Sequence, residues 1–469
     1  MEYINKVLWS YGPLFFLMKI LVTGSAGFVG KHLMEALGRR PGVETVGYDL
    51  GTPDAVLEQG LQTADVIFHL AGINRPQKVE EFQQGNADFT AYICDRILQL
   101  RLPPTALPVF EPAKHRLTET RVPQSSGTIV PWSHGLMVPH HHASPNHLPV
   151  MVLSSSIQAE LDSPYGRSKR QAENAVEDYA LKCGEAAEGG GQQAVIFRLK
   201  NIFGKWCRPN YNSVTATFCH NIAHDLPITI SDPTRELELV YIDDVISAFL
   251  AVLDGIKSES ANLKAEIRDH GPRTTECFSY REVARSFKTT LGDLAARILS
   301  FRQSRQNLLL PAMDDELTRN LYATYLSYLD GLDFAYALDQ KVDPRGSLAE
   351  FLKSPGSGQI FVSRTKPGVT RGNHYHHSKT EKFLVVEGEA IIRFRSVQPP
   401  SVSSPSSVVL VIEHRVSGHE FKVVDIPPGY AHSIENVGTG EMVCLFWASE
   451  IFDPQKPDTY FVPVLPAET

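Results

Sequence analysis

The stretch MKILVTGSAGFVGKHL, residues 18–33, decides the fold of the first half of the chain. A short apolar run typical of a buried strand leads into three glycines, Gly24, Gly27 and Gly30, and then into a helical pattern. Gly24 permits a tight turn, Gly27 lets the backbone approach a pyrophosphate at the helix N-terminus, and Gly30 allows the helix to pack closely on the strand. The stretch therefore predicts a dinucleotide-binding turn.

Outward from this turn, strand and helix patterns alternate as far as about Leu253, which predicts a doubly wound parallel α/β sheet of the Rossmann type. Residues 255–330 are expected to be mainly helical, including YREVARSFKTTLGDLAARIL at 280–299. From residue 331 short strands alternate with Pro and Gly turns, which favours an all-β barrel. The expected organisation is an extension at 1–17, an α/β domain at 18–330 with a Pro/His/Ser-rich insertion at 101–149, and a β domain at 331–469.

Composition narrows the function classes. The formal charge of -8 over 469 residues provides no basic surface for a phosphate backbone, so nucleic acid is not an expected partner. Six cysteines without a CxxC pair favour reduced thiols, and no stretch predicts a membrane span, so we expect a cytoplasmic protein. Residues 1–17 lack the features of a targeting signal, and Met18 would be a more natural start. The histidines of the insertion are assigned no chemistry.

A second motif supports dinucleotide chemistry. Tyr165 and Lys169 are four residues apart and share a helix face, so the ammonium can lower the pKa of the phenol and make it an acid or base. Ser156 ends the preceding strand and can hydrogen-bond the same carbonyl oxygen of a substrate. The three residues predict a carbonyl-reducing site.

Over about residues 18–255 these motifs resemble the extended short-chain dehydrogenase/reductase family. The segments DVIFHLAG at 65–72, RLKNIFG at 198–204 and YIDDV at 241–245 occur in the order that the family uses, with Asn86 between the first two. The resemblance implies that Tyr165 is the catalytic acid/base, Lys169 also holds the nicotinamide ribose, and Ser156 polarises the carbonyl. It further implies cofactor contacts from Phe28, Leu70, Ala71 and Gly72.

The residues leave the cofactor type open. Asp49 ends the second strand, where a carboxylate accepts hydrogen bonds from a ribose 2′-hydroxyl and repels a 2′-phosphate, which favours NADH. Arg39 and Arg40 could instead reach a 2′-phosphate, although arginines at a helix end also suit the helix dipole.

The stretch GNHYHHSKTEKFLVVEG, residues 372–388, predicts a metal site in the β domain. His374 and His376 alternate onto one face of a strand, and Glu381 and His432 are expected from neighbouring strands. Three imidazoles and a carboxylate can hold Zn, Fe, Mn or Ni, and Zn is expected here. The spacings resemble the two cupin motifs, and the stretch DPRGSLAE at 343–350 resembles cupin-fold epimerases that act on 4-keto-6-deoxy nucleotide sugars.

A reductase followed by a cupin resembles the CapF-like family of capsular polysaccharide enzymes. That resemblance implies a UDP-linked deoxy amino sugar on the route to N-acetyl-L-fucosamine, C3 epimerisation by the cupin, and C4-ketone reduction with NADPH by the reductase. It leads us to expect NADPH rather than NADH, despite Asp49, and a homodimer. The candidate substrate ligands are polar residues of the central region: Asn201, Lys205, Asn210, Asn212 and Arg235.

Two alternatives stay open at this point. In one, only the reductase is active and the cupin is a metal-stabilised module for dimerisation or ligand sensing. In the other, a metal-dependent oxygenase is fused to a reductase.

Overall fold

The computed structural model describes residues 17–102, 148–186, 192–265, 277–397 and 410–465. Most of the predicted N-terminal extension and of the predicted insertion lies outside these residues. The chain forms two compact units. The first contains the chain up to Thr217 together with Glu236–Thr289, and the second contains Phe218–Arg235 together with the chain from Thr290 onward.

A parallel six-stranded sheet, in the order β2-β1-β3-β4-β5-β8, forms the centre of the first unit. The chain order reverses at β1 and β3, so the carboxyl ends of these two strands form the switch point where ligands of such sheets bind. A smaller sheet has the order β6-β7-β9. The strands are β1 Met18–Thr23, β2 Val43–Tyr48, β3 Val66–His69, β4 Val150–Ser156, β5 Ala194–Leu199, β6 Asn201–Phe203, β7 Glu236–Tyr241, β8 Phe278–Arg281 and β9 Phe287–Thr290.

Helices cover both faces of the large sheet, because its strands are apolar on both sides. One face is packed by residues such as Leu57, Ile97 and Val176, and the other by residues such as Leu33 and Phe249. The helices are α1 Phe28–Gly38, α2 Asp54–Thr63, α3 Glu80–Phe82, α4 Phe89–Arg101, α5 Pro164–Ala186, α6 Val214–Ala223 and α7 Ile242–Ala265. A π-helical turn, Gln83–Asp88, joins α3 to α4, and a 3₁₀ turn, Ile157–Glu160, precedes α5. The predicted doubly wound α/β fold is confirmed.

The helical prediction for residues 280–299 is wrong in its first half. Phe278–Arg281 is a strand that pairs in parallel with β5, and Phe287–Thr290 is another strand. Helix α8, Leu291–Asn307, begins only where the Thr290 side chain accepts a hydrogen bond from the Asp293 N–H (3.1 Å). Tertiary pairing therefore overrides the local helical pattern before that cap.

Two antiparallel sheets form most of the second unit, in the orders β10-β11-β12-β19-β14-β17 and β16-β15-β18-β13-β20. Apolar side chains from both sheets, including Phe383, Phe394, Ile434 and Phe446, form one core, which confirms the predicted all-β barrel class. The strands are β10 Gln340–Asp343, β11 Gly346–Ser354, β12 Gly358–Thr365, β13 Thr370–Tyr375, β14 Glu381–Glu387, β15 Glu389–Ser396, β16 Val411–Ser417, β17 Val423–Ile426, β18 Tyr430–Asn436, β19 Met442–Ala448 and β20 Tyr460–Phe461.

The helices α8 and α9, the latter Glu316–Leu326, belong to the second unit, whereas the sequence placed them before a boundary at 330. The chain after α8 is joined to β11, because Leu310 N–H donates to Lys353 O (2.7 Å) and Lys353 N–H donates to Leu308 O (2.8 Å). Among the described residues, no helix combines the length and the apolar character needed to cross a membrane.

Candidate functional site

The turn after β1 brings bare backbone to the switch point. Gly24 has φ +71°, and a Cβ on it would lie 2.6 Å from Ala71 N, so a side chain does not fit there. A Cβ on Gly30 would lie 2.1 Å from Gly24 O, which explains the third glycine by close contact between helix and turn. Gly27 is the N-cap of α1, and no side chain caps that end. The N–H groups of the first helical turn, which no side chain caps, suit a pyrophosphate, and Phe28 is the first residue of that turn.

The end of β2 lies against this turn. Gly24 N–H donates to Tyr48 O (2.8 Å), and Ala26 N–H donates to Asp49 Oδ2 (2.7 Å). Arg39 and Arg40 follow the other end of α1, about 15 Å from its N-terminus at 1.5 Å per residue. Arg40 is paired with Asp254 (2.9 Å), and Arg39 with Glu35. The structure therefore places Asp49, and neither arginine, at the turn.

The predicted cofactor segment Leu70, Ala71 and Gly72 follows β3 at the same edge of the sheet. Leu70 N–H donates to Thr23 O (3.1 Å), and Ala71 N–H donates to Thr23 Oγ1 (3.4 Å). A Cβ on Gly72 would lie 2.8 Å from Asn86 Oδ1 and 3.2 Å from Lys169 Nζ. These contacts bring the glycine turn, Gly72 and the Lys169 ammonium into one site.

Asn86 is a site residue that was not assigned a role from the sequence. It is buried in the π-helical turn, and its side chain donates to Ile73 O and to Ser168 Oγ, both at 3.0 Å. Its Oδ1 accepts from Ile73 N–H (2.8 Å). Asn86 thus ties the segment after β3 to the helix that carries Tyr165 and Lys169. The π turn, which has no sequence signature, is what turns it inward.

Ser156, Tyr165 and Lys169 meet at the end of β4 and the start of α5. A hydrogen bond joins Ser156 and Tyr165, and Ser156 Oγ also accepts from Gln158 N–H (3.2 Å). Lys169 is buried, with Nζ donating to Ser154 O (3.2 Å). Burial lowers the pKa of Lys169 to about 8, although the Glu173 carboxylate acts in the opposite direction.

Two neighbouring effects act in opposite directions on the pKa of Tyr165. Burial raises its pKa, and the hydrogen bond with Ser156 only partly offsets this. The Lys169 ammonium donates to the Ser154 carbonyl (3.2 Å), and its effect on the phenol stays a prediction. Tyr165 is therefore protonated at neutral pH, which suits a proton donor.

Beneath these residues lies a buried ionic network centred on Glu173, which is 0% exposed. Its carboxylate accepts from Ser155 Oγ (2.6 Å) and from Arg198 Nε (3.0 Å) and Nη2 (2.8 Å). Since Ser155 lies on β4 and Glu173 on α5, the network fixes the strand end that carries Ser156 relative to the helix that carries Lys169.

The candidate substrate ligands are divided between the two units. Four of them belong to the segment 201–212 of the first unit, whereas Arg235 belongs to the second unit. Lys205 Nζ lies 3.6 Å from Asp243, and Asn210 has φ +55° with its N–H donating to Thr217 Oγ1 (3.0 Å). Asn201 donates to Glu238 O (3.2 Å), and Asn212 is exposed.

Trp206, in the middle of that segment, was not assigned a role from the sequence. It is half-exposed with φ +65°, which is unusual for a bulky side chain, and its ring packs on His32 at 4.5 Å between centroids. Strained residues of this kind often mark binding segments.

In the second unit, all four predicted metal ligands converge. The ligand atoms of His374, His376, Glu381 and His432 lie within 4.8 Å of one another. His374 on β13 pairs directly with His432 on β18, so both side chains share a face, and Glu381 begins β14 in the opposite sheet. His374 is partly exposed while the other three are buried, so the cluster is accessible from solvent on its side.

The chemistry of this cluster fits a cation. The Nε2 atoms of His376 and His432 are buried and have no hydrogen-bond partner among the described residues, while lying 3.4 and 3.3 Å from Glu381 Oε2. Burial raises the pKa of Glu381, but the two imidazoles outweigh it and lower that pKa to about 2. Burial and the neighbouring imidazoles lower the pKa of His374 to about 4. The cluster thus offers a carboxylate and a neutral imidazole at neutral pH, the forms that ligate metals.

Two family models match this chain. Residues 143–263 match the NAD dependent epimerase/dehydratase family, and residues 341–460 match the polysaccharide biosynthesis C-terminal domain. The chain is 38% identical to a UDP-2-acetamido-2,6-beta-L-arabino-hexul-4-ose reductase of Pseudomonas aeruginosa, over 94% of this chain and 98% of that protein.

Solved structures of CapF are also similar to this chain over most of its length. The crystal structure of the capsular polysaccharide assembling protein CapF from Staphylococcus aureus has a TM-score of 0.73 and 38% identity, covering 95% of this chain and all of that one. A CapF structure with the inhibitor 3-isopropenyl-tropolone has a TM-score of 0.69 and 34% identity, over 95% of this chain. With this identity over nearly its whole length, the chain belongs to the CapF-like family of nucleotide-sugar enzymes.

Proposed function

We propose that this enzyme epimerises C3 of a UDP-linked 4-keto-6-deoxy-N-acetylhexosamine in its cupin domain and reduces the C4 ketone in its reductase domain. The observation that carries the proposal is the presence, in one chain, of the Ser156, Tyr165 and Lys169 arrangement and of the buried four-ligand cluster. The relative from Pseudomonas aeruginosa is named as a reductase of a UDP-linked acetamido-hexulose, which supports this substrate class.

The reductive half follows from the residues at the switch point. A nicotinamide cofactor, expected for this family, supplies hydride when bound. Tyr165, kept protonated by burial, donates its proton to the C4 oxygen as that oxygen becomes an alkoxide. Ser156 hydrogen-bonds the same oxygen, and the Lys169 ammonium, beside Gly72, holds the ribose and stabilises the tyrosinate that remains.

For the nicotinamide type, two observations support NADH, although the family resemblance implied NADPH. Asp49 points its carboxylate at the turn, where it would accept from a ribose 2′-hydroxyl and repel a 2′-phosphate. Arg39 and Arg40 lie at the far end of α1 and are paired with carboxylates. We therefore propose NADH as the better cofactor of this chain.

The epimerase half follows from the acidity of the substrate. A ketone at C4 makes the C3 proton acidic; a base removes it and a proton returns to the opposite face, which inverts C3. We propose that His374, His376, Glu381 and His432 hold a divalent ion, for which Zn²⁺ suits the three imidazoles and one carboxylate. Such an ion would supply Lewis-acid stabilisation of negative charge on a keto oxygen.

The segment 201–212 is the proposed contact for the nucleotide sugar. Lys205 and the amides of Asn201, Asn210 and Asn212 supply donors on the surface of an otherwise acidic protein. Arg235 is retained as a separate candidate in the second unit.

The test is incubation of purified protein with UDP-4-keto-6-deoxy-N-acetylhexosamines and NADH in deuterated water, followed by mass spectrometry of the product. We expect one deuterium at C3 and consumption of one NADH per product. Reduction without deuterium at C3 would leave a reductase with a non-catalytic cupin. Oxygen uptake with bound iron would instead identify an oxygenase.

A further inference from the structure

The segment Asp458–Val464, which we call the C-terminal strap, runs beside strand β13, which carries His374, and the residues that follow it, which include His376. Tyr460 and Phe461 form β20, which pairs with β13 so that Phe461 lies opposite His374. Val462 N–H donates to Asn373 O (2.9 Å), and Val464 N–H donates to Asn373 Oδ1 (3.1 Å). The strap therefore holds the strand that ends at Tyr375.

Asp458 makes the densest set of these contacts, and they fall on the turn that follows His376. Its Oδ1 accepts from His377 N–H (2.9 Å), and its Oδ2 accepts from Ser378 N–H and Lys379 N–H, both at 2.9 Å, and from Ser378 Oγ (3.1 Å). A carboxylate that satisfies three consecutive backbone N–H groups fixes the path of the turn, as an anion does at a helix N-terminus.

The backbone of Asp458 also acts on a proposed ligand directly. His376 Nδ1 and Asp458 O are 2.5 Å apart, so the ring donates its Nδ1 proton to that carbonyl. In the neutral ring this bond places the proton on Nδ1 and leaves Nε2 free to ligate a cation in the cluster, which is how outer-shell acceptors orient metal-binding histidines. Asp458 has φ +37°, a left-handed conformation that presents its carbonyl and its carboxylate to the same turn.

We infer that Asp458 is the positioning residue of the metal centre, orienting His376 through its carbonyl and holding the turn 377–379 through its carboxylate. The inference rests on the proposed function for its metal, while its effect on the turn is independent of any ion. The sequence places Asp458 more than 80 residues after His376 by chain count, and no metal-ligand spacing includes it.

The test uses the full-length chain with Asp458→Asn, since asparagine tolerates the left-handed backbone but loses the charge and one acceptor. The matched control is Asp453→Asn, because Asp453 Oδ1 accepts only from Gln455 N–H (2.8 Å), within its own turn, among the contacts of the described residues. Two readouts are compared: Zn²⁺ affinity by chelator competition with the metal-stripped protein, and hydrogen–deuterium exchange of the peptide spanning residues 374–380. The visible absorption of Co²⁺-loaded protein reports ligand geometry separately from global stability.

We expect Asp458→Asn to weaken Zn²⁺ binding about 10- to 100-fold, the range for outer-shell partners, to change the Co²⁺ spectrum, and to speed exchange in 374–380. Asp453→Asn should change none of these. Unchanged affinity and unchanged exchange in Asp458→Asn would overturn the inference. If Asp458→Asn does not fold, Ser378→Ala removes one bond to the same carboxylate and should weaken Zn²⁺ about 2- to 10-fold; no change would overturn the inference.

Failure of the proposed function gives a different result. If the wild-type chain binds no Zn²⁺ or Co²⁺, the proposed metal centre is wrong. Exchange in 374–380 then decides separately whether Asp458 holds the turn: faster exchange in Asp458→Asn alone supports it, and equal exchange refutes it.

Discussion

The glycine turn after β1 depends on residues without side chains, whereas the histidine cluster depends on side chains that converge from separate strands. At the turn, a Cβ on Gly24 or Gly30 would lie 2.6 Å from Ala71 N or 2.1 Å from Gly24 O, so no side chain fits at either position. In the cluster, buried Nε2 atoms of His376 and His432 have no hydrogen-bond partner among the described residues. The glycine turn is therefore formed by contiguous residues, whereas the histidine cluster depends on the strand register of two sheets. We expect a substitution at one site to leave the activity of the other site unchanged.

The largest expected effect is on the proposed reductase site alone. Tyr165→Phe removes the proton donor but keeps the ring that packs near Phe82 at 5.5 Å. Reduction of a pre-epimerised substrate should fall about 10²- to 10⁴-fold, the contribution of a positioned acid. Deuterium should still enter C3. Stopped-flow oxidation of NADH measures the rate of reduction, and mass spectrometry measures the deuterium at C3. The control is Tyr92→Phe, a substitution of an exposed tyrosine.

The next largest expected effect is on the proposed epimerase site alone. His376→Ala deletes one proposed ligand, and exchange of the C3 proton should fall more than about 100-fold because the loss exceeds that for outer-shell partners. Metal analysis of the purified variant checks the cause. The control is His377→Ala, whose ring packs on Tyr375 and Tyr460 instead of facing the cluster. If His376→Ala also stopped NADH consumption on pre-epimerised substrate in folded protein, the two sites would not be independent.

The preference for NADH over NADPH tests the contribution of a single side chain, Asp49, at the glycine turn. Asp49→Asn removes the charge that faces the turn, so the affinity for NADPH relative to NADH should rise about tenfold, the value of one charge-assisted hydrogen bond. Calorimetric titration of both dinucleotides measures this without turnover. Arg40→Ala should leave the ratio unchanged, and a fall of the ratio in that variant would show that the arginine reads the phosphate.

The smallest effect is a pH dependence confined to the reductase. Burial lowers the pKa of Lys169 to about 8, so the ammonium is present below that pH and is lost as the pH rises through it. NADH consumption should therefore decline above about pH 8, by up to tenfold per pH unit. Lys169→Arg stays charged and should abolish that decline, although with a lower rate because the guanidinium differs in shape. A decline at the same pH in Lys169→Arg would assign it to another group.

Much of the fold and of the two candidate sites could be predicted from the sequence alone. Gly24, Gly27 and Gly30 stand in one uninterrupted motif, and His374 and His376 alternate along one strand, so both signals are local. Asn86 depends on a π-helical turn, and strand β8 depends on pairing with β5, and neither has a local signature. The Asp458 contacts join residues far apart in sequence. The homodimer, and the domain boundary at 330, stay predictions.

The discontinuous second unit has a consequence for synthesis on the ribosome. Phe218–Arg235 is made before Glu236–Thr289, which completes the first unit, and before the chain from Thr290 onward, with which it packs. An ion pair joins it to that later chain, Asp225 with Arg302. At about 5–20 residues per second the later partner follows only after seconds, so the first unit can close before this pair forms. A nascent chain halted before Thr290 would thus lack the segments with which Phe218–Arg235 forms its compact unit, so the order of synthesis decides when that unit can be completed.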